Sequence, residues 1–243
     1  VNISASGATN VWFYNGTANV SYTAEILVTF GEGSNTLIAY ANDSAGNLNT
    51  TSIIFGTDTI APSITIVSPQ SATYGDNQIL INISTSGAAN VWFYNGTGNT
   101  TYTTSTYQNF SDGVHTLIAY ANDSVGNFNQ TSISFTVNSL LPSITIISPA
   151  NTTYNNKTQL VNISTSGATN VWFTNSSGKN ETYTTSVYRV FNEGSNTLRA
   201  YANNSAGLVN YNMVIFSIDS ISPGINNPVT VPTLQMYNNG SVQ

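Results

Sequence analysis

Three tryptophans, Trp12, Trp92 and Trp172, stand 80 residues apart inside three copies of one segment. VNISASGATNVWF at Val1–Phe13 returns as INISTSGAANVWF at Ile81–Phe93 and as VNISTSGATNVWF at Val161–Phe173. A fixed internal period means that one folding unit is used repeatedly, so it decides the architecture before any single residue does. Units of about 80 residues bury a small core of their own without needing staples. The end of the chain, Asn238–Gln243 (NNGSVQ), would lead into Val1 much as Asn155–Leu160 (NNKTQL) leads into Val161. The expectation is an array cut in mid-module, with Val1 marking a mature or excerpted segment. Its parts are an incomplete module at 1–58, modules at 59–138 and 139–219, and a tail at 220–243.

Apolar and polar residues alternate at period two between Gly, Asn, Asp and Pro clusters, and no stretch has a helical period, so the chain reads as all-β. In the middle module the expected strands are Ser63–Val67, Ile79–Ser84, Val91–Tyr94, Thr100–Tyr107, Thr116–Ala121 and Ser132–Val137. Six or seven short strands suit an antiparallel β-sandwich. One strand reveals its facing, because Leu37-Ile38-Ala39-Tyr40-Ala41 recurs as Leu198-Arg199-Ala200-Tyr201-Ala202. An unpaired buried guanidinium costs several kcal/mol, so the Arg199 side faces solvent and Leu, Ala and Ala face the core. Asn42, Asn122 and Asn203 share the outward parity. The turns that follow, Asp43–Asn47, Asp123–Asn127 and Asn204–Leu208, combine an Asp or Asn that bonds the backbone two residues on with a glycine for positive φ. Asn15-Gly16 and Asn95-Gly96 are hairpin-turn pairs after the Trp strand. Pro62, Pro142 and Pro223 sit just before each first strand, where a missing amide is harmless.

The charge balance is 4 basic against 10 acidic residues, a net charge of −6. That leaves no basic patch to neutralise phosphates, so nucleic acid is excluded as a partner. Apolar runs of about five residues are too short to span a membrane. With no cysteine there is neither a disulfide framework nor a thiolate metal site. Polarity comes instead from Asn, Ser and Thr. At this composition chance would follow the 35 asparagines with a Ser or Thr two residues on about nine times, yet 18 Asn-X-Ser/Thr triplets occur. They are Asn2, Asn15, Asn19, Asn42, Asn49, Asn82, Asn95, Asn99, Asn109, Asn122, Asn129, Asn151, Asn156, Asn162, Asn175, Asn180, Asn203 and Asn239. The excess points to covalent N-glycans on a secreted protein, with accidental triplets copied by repetition as the plainer alternative.

The ordered set Glu32-Gly33-Ser34-Asn35-Thr36, Ala41-Asn42-Asp43-Ser44-Ala45-Gly46-Asn47 and Ala61–Pro69 (APSITIVSP), present three times over, resembles the immunoglobulin-like and fibronectin type III-like repeats of archaeal and bacterial surface proteins. The resemblance covers essentially the whole chain. It implies three tandem β-sandwiches, the first lacking its first strand, in an extracellular stalk, surface layer (S-layer), adhesin or filament. Where fibronectin type III domains place a corner tyrosine, this chain has Asn35, His115 and Asn196.

Sites for chemistry are scarce. His115 reads as a surface substitution on a strand edge, and one histidine without a second ligand or a partnered nucleophile builds no triad. No catalytic, cofactor-binding or metal-ligating residue is assigned, and the chain is not read as an enzyme. Glu32, Asp112 and Glu193 before the outward-marked strand, and Asp43 and Asp123 after it, lie ~20 Å apart at opposite strand ends. Turn formation and acceptance of N–H groups is the favoured role for these carboxylates, with calcium at module junctions near Asp58 and Asp219 as the alternative. The Trp face is left open between core, module packing and a sugar platform.

Module one begins at its second strand, Val1–Ser4, without the lead-in strand that Ser63–Val67 and Ser143–Ile147 supply elsewhere. The tail from Pro223 to Gln243 is a lead-in with no module after it. Two accounts follow. In one, Ile225, Val229, Val231 and Leu234 of one copy donate a strand to Val1 and Ile3 of the next, building a head-to-tail homopolymer. In the other, the repeats continue covalently. The favoured function is a structural subunit of a glycosylated extracellular filament or surface array. The alternative is a tandem adhesin for glycan or a cell-surface protein, and a lesser one the stalk of a secreted enzyme.

Overall fold

The computed structural model describes residues 1–174 and 177–225, which form strands, turns and loops without a helix. The chain divides into two compact units, Val1–Asn138 and Ser139–Gln243. The first unit opens with one sheet of β1 (Asn10–Tyr14), β2 (Asn19–Ser21), β3 (Gly33–Asn42) and β4 (Leu48–Thr57), in the order β2-β1-β3-β4.

A complete sandwich follows. β5 (Ser63–Ser68), β7 (Gln78–Ser86) and β10 (Thr106–Asn109) form a three-stranded sheet in the order β10-β7-β5. Facing it is a five-stranded sheet made from β6 (Thr73–Tyr74), β8 (Asn90–Tyr94), β9 (Asn99–Thr101), β11 (Gly113–Asn122) and β12 (Phe128–Val137), in the order β6-β12-β11-β8-β9. Between β5 and β6 the chain passes from one sheet to the other, with a register shift after Ile66 and a cis Ser68–Pro69 peptide. The second unit repeats this plan with β13 (Ser143–Ser148), β14 (Thr153–Tyr154), β15 (Thr158–Ser166), β16 (Asn170–Thr174), β17 (Asn180–Thr182), β18 (Val187–Val190), β19 (Gly194–Asn203) and β20 (Val209–Ile218). Its sheets are β13-β15-β18 and β14-β20-β19-β16-β17. Apart from the short parallel pairs of β6 with β12 and β14 with β20, every pairing is antiparallel. The two complete modules are therefore β-sandwiches of a three-stranded and a five-stranded sheet.

Alternation sends every second side chain of a strand inward. Ile79, Ile81 and Ile83 from β7 meet Phe93, Leu117, Ala119, Phe135 and Val137 from the larger sheet, and Phe110 closes the end. The second unit buries Val161, Ile163, Phe173, Phe191, Leu198, Ala200 and Phe216 in the same way. Small alanines on β11 and β19 leave room for the phenylalanine of the neighbouring strand, and Phe110–Phe135 and Phe191–Phe216 meet edge to face at 5.0 and 4.8 Å. The expected facing holds, with Leu198, Ala200 and Ala202 buried and Arg199 exposed.

Two expected strands differ. The single strand expected at Thr100–Tyr107 is two strands in different sheets, β9 and β10. The change of sheet occurs at Tyr102: its backbone N donates to Val91 O of the larger sheet, while its hydroxyl oxygen accepts from Ile83 N at 3.0 Å in the smaller one. The strand expected at Val1–Ser4 is absent. Only a reciprocal pair of hydrogen bonds, Val1 N to Ile26 O at 2.6 Å and Ile26 N to Val1 O at 3.1 Å, marks the place where Ile81 pairs with Thr106 in the complete module. One such pair does not make a sheet.

Without a facing sheet the first module keeps Phe13 buried but leaves Leu37, Ala39 and Phe55 only half-buried, where Leu117 and Ala119 are fully enclosed. Leu117→Ala should cost about 3 kcal/mol by loss of transfer energy and cavity formation, and Leu37→Ala distinctly less. Urea unfolding of the two variants, followed by module-specific fluorescence or hydrogen exchange, measures the difference.

Candidate functional site

Each complete module holds its own lead-in segment with asparagine side chains. Asn127 Nδ2 donates to Asp58 O at 2.9 Å, and Asn129 Nδ2 donates to Pro62 O at 2.9 Å. In the second unit Asn204, Asn210 and Asn212 donate to Leu140 O, Pro142 O and Ile144 O at 2.8, 2.9 and 3.2 Å. Pro62 and Pro142 are buried against the glycines Gly87 and Gly167, where an added Cβ would come within 4.0 and 3.9 Å of the proline Cα. A main-chain carbonyl has no side-chain identity, so these contacts fix where the strand lies rather than what its sequence is.

The first module carries the matching residues without the strand. Its groove, about 420 Å³, is lined by Ile3, Ala39, Ala41, Asn47, Asn49 and Thr51 among others. Asn47 and Asn49 take the places of Asn127 and Asn129. The expected acceptor residues behave differently from one another: Ile3 lines this groove, whereas Val1 is bonded to Ile26. Of the expected donor residues, Ile225 is 90% exposed, and Val229, Val231 and Leu234 lie outside the described residues.

The turn beneath the groove is built around one carboxylate. Asp43 Oδ1 accepts from Ala45 N and Asn47 N at 2.9 Å each, Asp43 Oδ2 accepts from Asn47 Nδ2 at 2.8 Å, and Gly46 has φ 87. The Asn47 side-chain bond, with the Asn47 backbone bond after it, holds the Asp43 carboxyl below its ordinary value. Burial pushes the Asp123 carboxyl up, but bonds from Asn127, Val125 and Gly126 outweigh it and the net direction is down. The third copy changes both partners together: Asn204 replaces the Asp and Leu208 the Asn, and Asn204 Nδ2 then takes over the bond to the lead-in strand.

At the opposite end of the long strand, Glu32 accepts from Thr59 N and Oγ1, and Glu193 from Ser220 N and Oγ. Glu193 also pairs with Lys157 at 3.3 Å. The Ser220 hydroxyl, ahead of the Ser220 amide and Lys157, lowers the Glu193 carboxyl. Among the described residues no three His, Cys, Asp or Glu side chains gather as a metal site.

His115 is not on a solvent-facing edge. It has inward parity on β11, touches Phe110 and Phe135 at 5.0 and 5.7 Å between ring centres, and its Nε2 lies 2.7 Å from Ser111 O. Asn35 and Asn196 bond Gly31 O and Asn192 O in the same way, at 2.7 and 2.8 Å. All three tie the strand to a carbonyl four residues back, the tie that a corner tyrosine makes in sandwiches of this kind. Tyr22, Tyr102 and Tyr183 are the site residues that sequence reasoning missed. Their hydroxyls bond Asn2, Asn82 and Asn162 at 3.0, 3.2 and 3.3 Å, and their 80- or 81-residue spacing was the available signal.

The tryptophans are not core residues. Each lies half-buried on the outer face of the larger sheet, stacked on the tyrosine across from it: Trp12 on Tyr40 at 5.3 Å, Trp92 on Tyr120 at 5.5 Å and Trp172 on Tyr201 at 5.5 Å. Asn42, Asn122 and Asn203 stand on that face two residues beyond the tyrosines. Other sequon asparagines are spread over both sheets. Asn19, Asn99, Asn109, Asn151, Asn156 and Asn180 are exposed, and Asn15 and Asn95 each accept from the threonine of their own triplet. Asn49 and Asn129 belong to the lead-in groove, and Asn175 and Asn239 lie outside the described residues.

No family model and no curated protein matches the chain. Among solved structures it is similar to the Clostridium thermocellum CbhA fibronectin(III)-like modules, at 17% identity and TM-score 0.40 over 68% of this chain and 100% of that one. It is also similar to the N-terminal four Ig domains of Dscam1 isoform 4.44, at 10% and 0.36 over 88% of this chain and 66% of that one. A tetra-tandem repeat in the extending region of a large adhesion protein gives 20% and 0.33 over 90% and 69%. The chain spans about two thirds of the last two structures.

The lowered carboxyls set an acid limit on stability. For Asp43, Asp123 and Glu193 the folded value is below the unfolded one, so their contribution is complete above the unfolded value and is lost as pH falls through the folded value. Thermal stability should hold from neutral pH down to about pH 4 and decline below it. Asp123→Asn should flatten that decline, as read from melting temperatures across an acid pH series.

Proposed function

We propose that the chain is a structural, non-enzymatic segment of an N-glycosylated extracellular filament or surface array, in which each sandwich is closed by a lead-in strand laid into the groove of the module. The observation that carries this reading is the groove of the first module. It has a floor of Ala39 and Ala41 and the asparagines Asn47 and Asn49, whose counterparts Asn127 and Asn129 hold the lead-in strand by its carbonyls in the middle module. An open apolar face beside an unpaired strand edge is an aggregation hazard, and occupation by a strand removes it. The density of Asn-X-Ser/Thr triplets supports the extracellular and glycosylated part. No helix among the described residues is long and apolar enough to cross a membrane.

The strand in that groove comes from a neighbouring copy's Pro223–Gln243 or from chain covalently ahead of Val1. Donation between copies predicts that residues 1–243 form concentration-dependent oligomers and that removal of Pro223–Gln243 abolishes them, as measured by light scattering and negative-stain microscopy. Oligomers that persist in the truncated protein, or a full chain that stays monomeric, would count against donation by the tail. Covalent supply predicts instead that extending the N-terminus with the Ile60–Leu80 sequence raises the melting temperature of the first module and keeps the protein monomeric.

A further inference from the structure

We propose that the outer face of each larger sheet is a seat for the chain's own N-linked glycan, the sugar on Asn42, Asn122 or Asn203 lying against the apolar side chains beside it. The proposal rests on the reading of the chain as N-glycosylated and adds where one set of glycans is held. Strand pairing places three residues in a row at each of these asparagines: Asn10, Asn42 and Leu48; Asn90, Asn122 and Phe128; Asn170, Asn203 and Val209. The stacked Trp–Tyr pair is the next row on the same face, about 7 Å along the strands.

The row is built alike three times. The first asparagine donates its Nδ2 to the Oδ1 of the sequon asparagine at 3.0 Å in every module. N-glycosylation forms its bond at Nδ2 and leaves Oδ1 a carbonyl acceptor, so this hydrogen bond survives modification. It also fixes the carboxamide, turning Nδ2 away from the first asparagine. The third member of the row is apolar and half-exposed each time, Leu48 at 59%, Phe128 at 50% and Val209 at 50%. A single exposed apolar side chain is ordinary, but here the same slot recurs beside an aromatic pair.

In the middle module Phe128 lies 6.1 Å from Trp92 and 6.0 Å from Tyr120 between ring centres, so three rings form one floor next to Asn122. Tyr211 extends the floor of the third module, 6.0 Å from Tyr201. A pyranose has one face of C–H groups that suits an aromatic surface, while its hydroxyls point to water. The hydroxyl residue of each triplet, Ser44, Ser124 or Ser205, is exposed in the turn that follows.

The test uses the full chain from a secreting, N-glycosylating host, with glycopeptide mass spectrometry to establish which asparagines are modified. Asn109, on the smaller sheet, is the internal control. Glycosidase release at Asn122 should be several-fold slower than at Asn109, and Phe128→Ser should remove most of the difference without changing release at Asn109. Sugar protons on Asn122 should show upfield ring-current shifts in the folded protein that diminish in Phe128→Ser and in Trp92→Ala. Circular dichroism checks that the variants fold, and Phe128, half-exposed on the outer face, gives the milder of the two. A modified Asn122 whose release rate and sugar shifts match those of Asn109 would overturn the seat and leave glycosylation standing. An unmodified Asn122 among modified sequons would overturn the seat as well, and a chain with no modified sequon would overturn the glycosylation reading together with it.

Discussion

A β-sheet with one apolar face cannot stand in water by itself, and nearly everything distinctive in this chain follows from how each module supplies the second face. Leu117 is fully enclosed where β7 brings Ile79, Ile81 and Ile83 into the core, and Leu198 where β15 brings Val161 and Ile163, whereas Leu37 of the first module is only half-buried. Burying a side chain of this class contributes roughly 1.5–3 kcal/mol, and a module of 80 residues has few of them. The smaller sheet therefore supplies a large share of the core of a complete module. Its outermost strand, β5 or β13, is also the segment that joins one module to the next in sequence, so closing the core and linking the modules are done by the same residues.

That dual role explains the chemistry at the groove. A joint that must serve every repeat works best through main-chain carbonyls, and the side chains that bind them are amides that neither titrate nor demand a counter-ion. The exchange in the third copy shows how narrow the requirement is. Asp123 accepts hydrogen bonds from the turn and Asn127 reaches the lead-in strand; when Asn204 stands in the Asp position it accepts the turn bonds through Oδ1 and reaches the strand through Nδ2. One asparagine then performs both tasks, and position 208 is released to become leucine.

Much of this was legible in the sequence because repetition gives several readings of one position. A lone Ile38 says little about facing, but Arg199 in its place decides it, and the buried Leu198 and Ala200 agree. The turns were legible because Asp-X-X-Gly-Asn carries its own hydrogen bonding. Strand changes were not. Thr100–Tyr107 alternates well enough for one strand, and the break depends on Tyr102 bonding Ile83, a partner 19 residues away that periodicity does not record. His115 was misplaced for the same reason: a polar residue suggests solvent, yet a carbonyl four residues back lets its ring sit against Phe110 and Phe135.

The tryptophans show where the pattern of a sandwich inverts. With Phe13, Phe93 and Phe173 filling the core position of their strand, the adjacent Trp must take the outer face, since neighbouring residues of a strand point oppositely. Stacking on a tyrosine covers one face of the indole and leaves the rest of the pair on the outside of the sheet. Nothing in core packing requires so large an aromatic there, three times, beside an Asn-X-Ser triplet and a half-exposed Leu, Phe or Val. A surface made of neutral amides and hydroxyls carries little charge to keep it soluble, so covering these patches with attached sugar would solve two problems at once: it hides the apolar floor and hydrates the exterior. The repeat that builds the core inward would then also space its glycans outward, one to each large sheet.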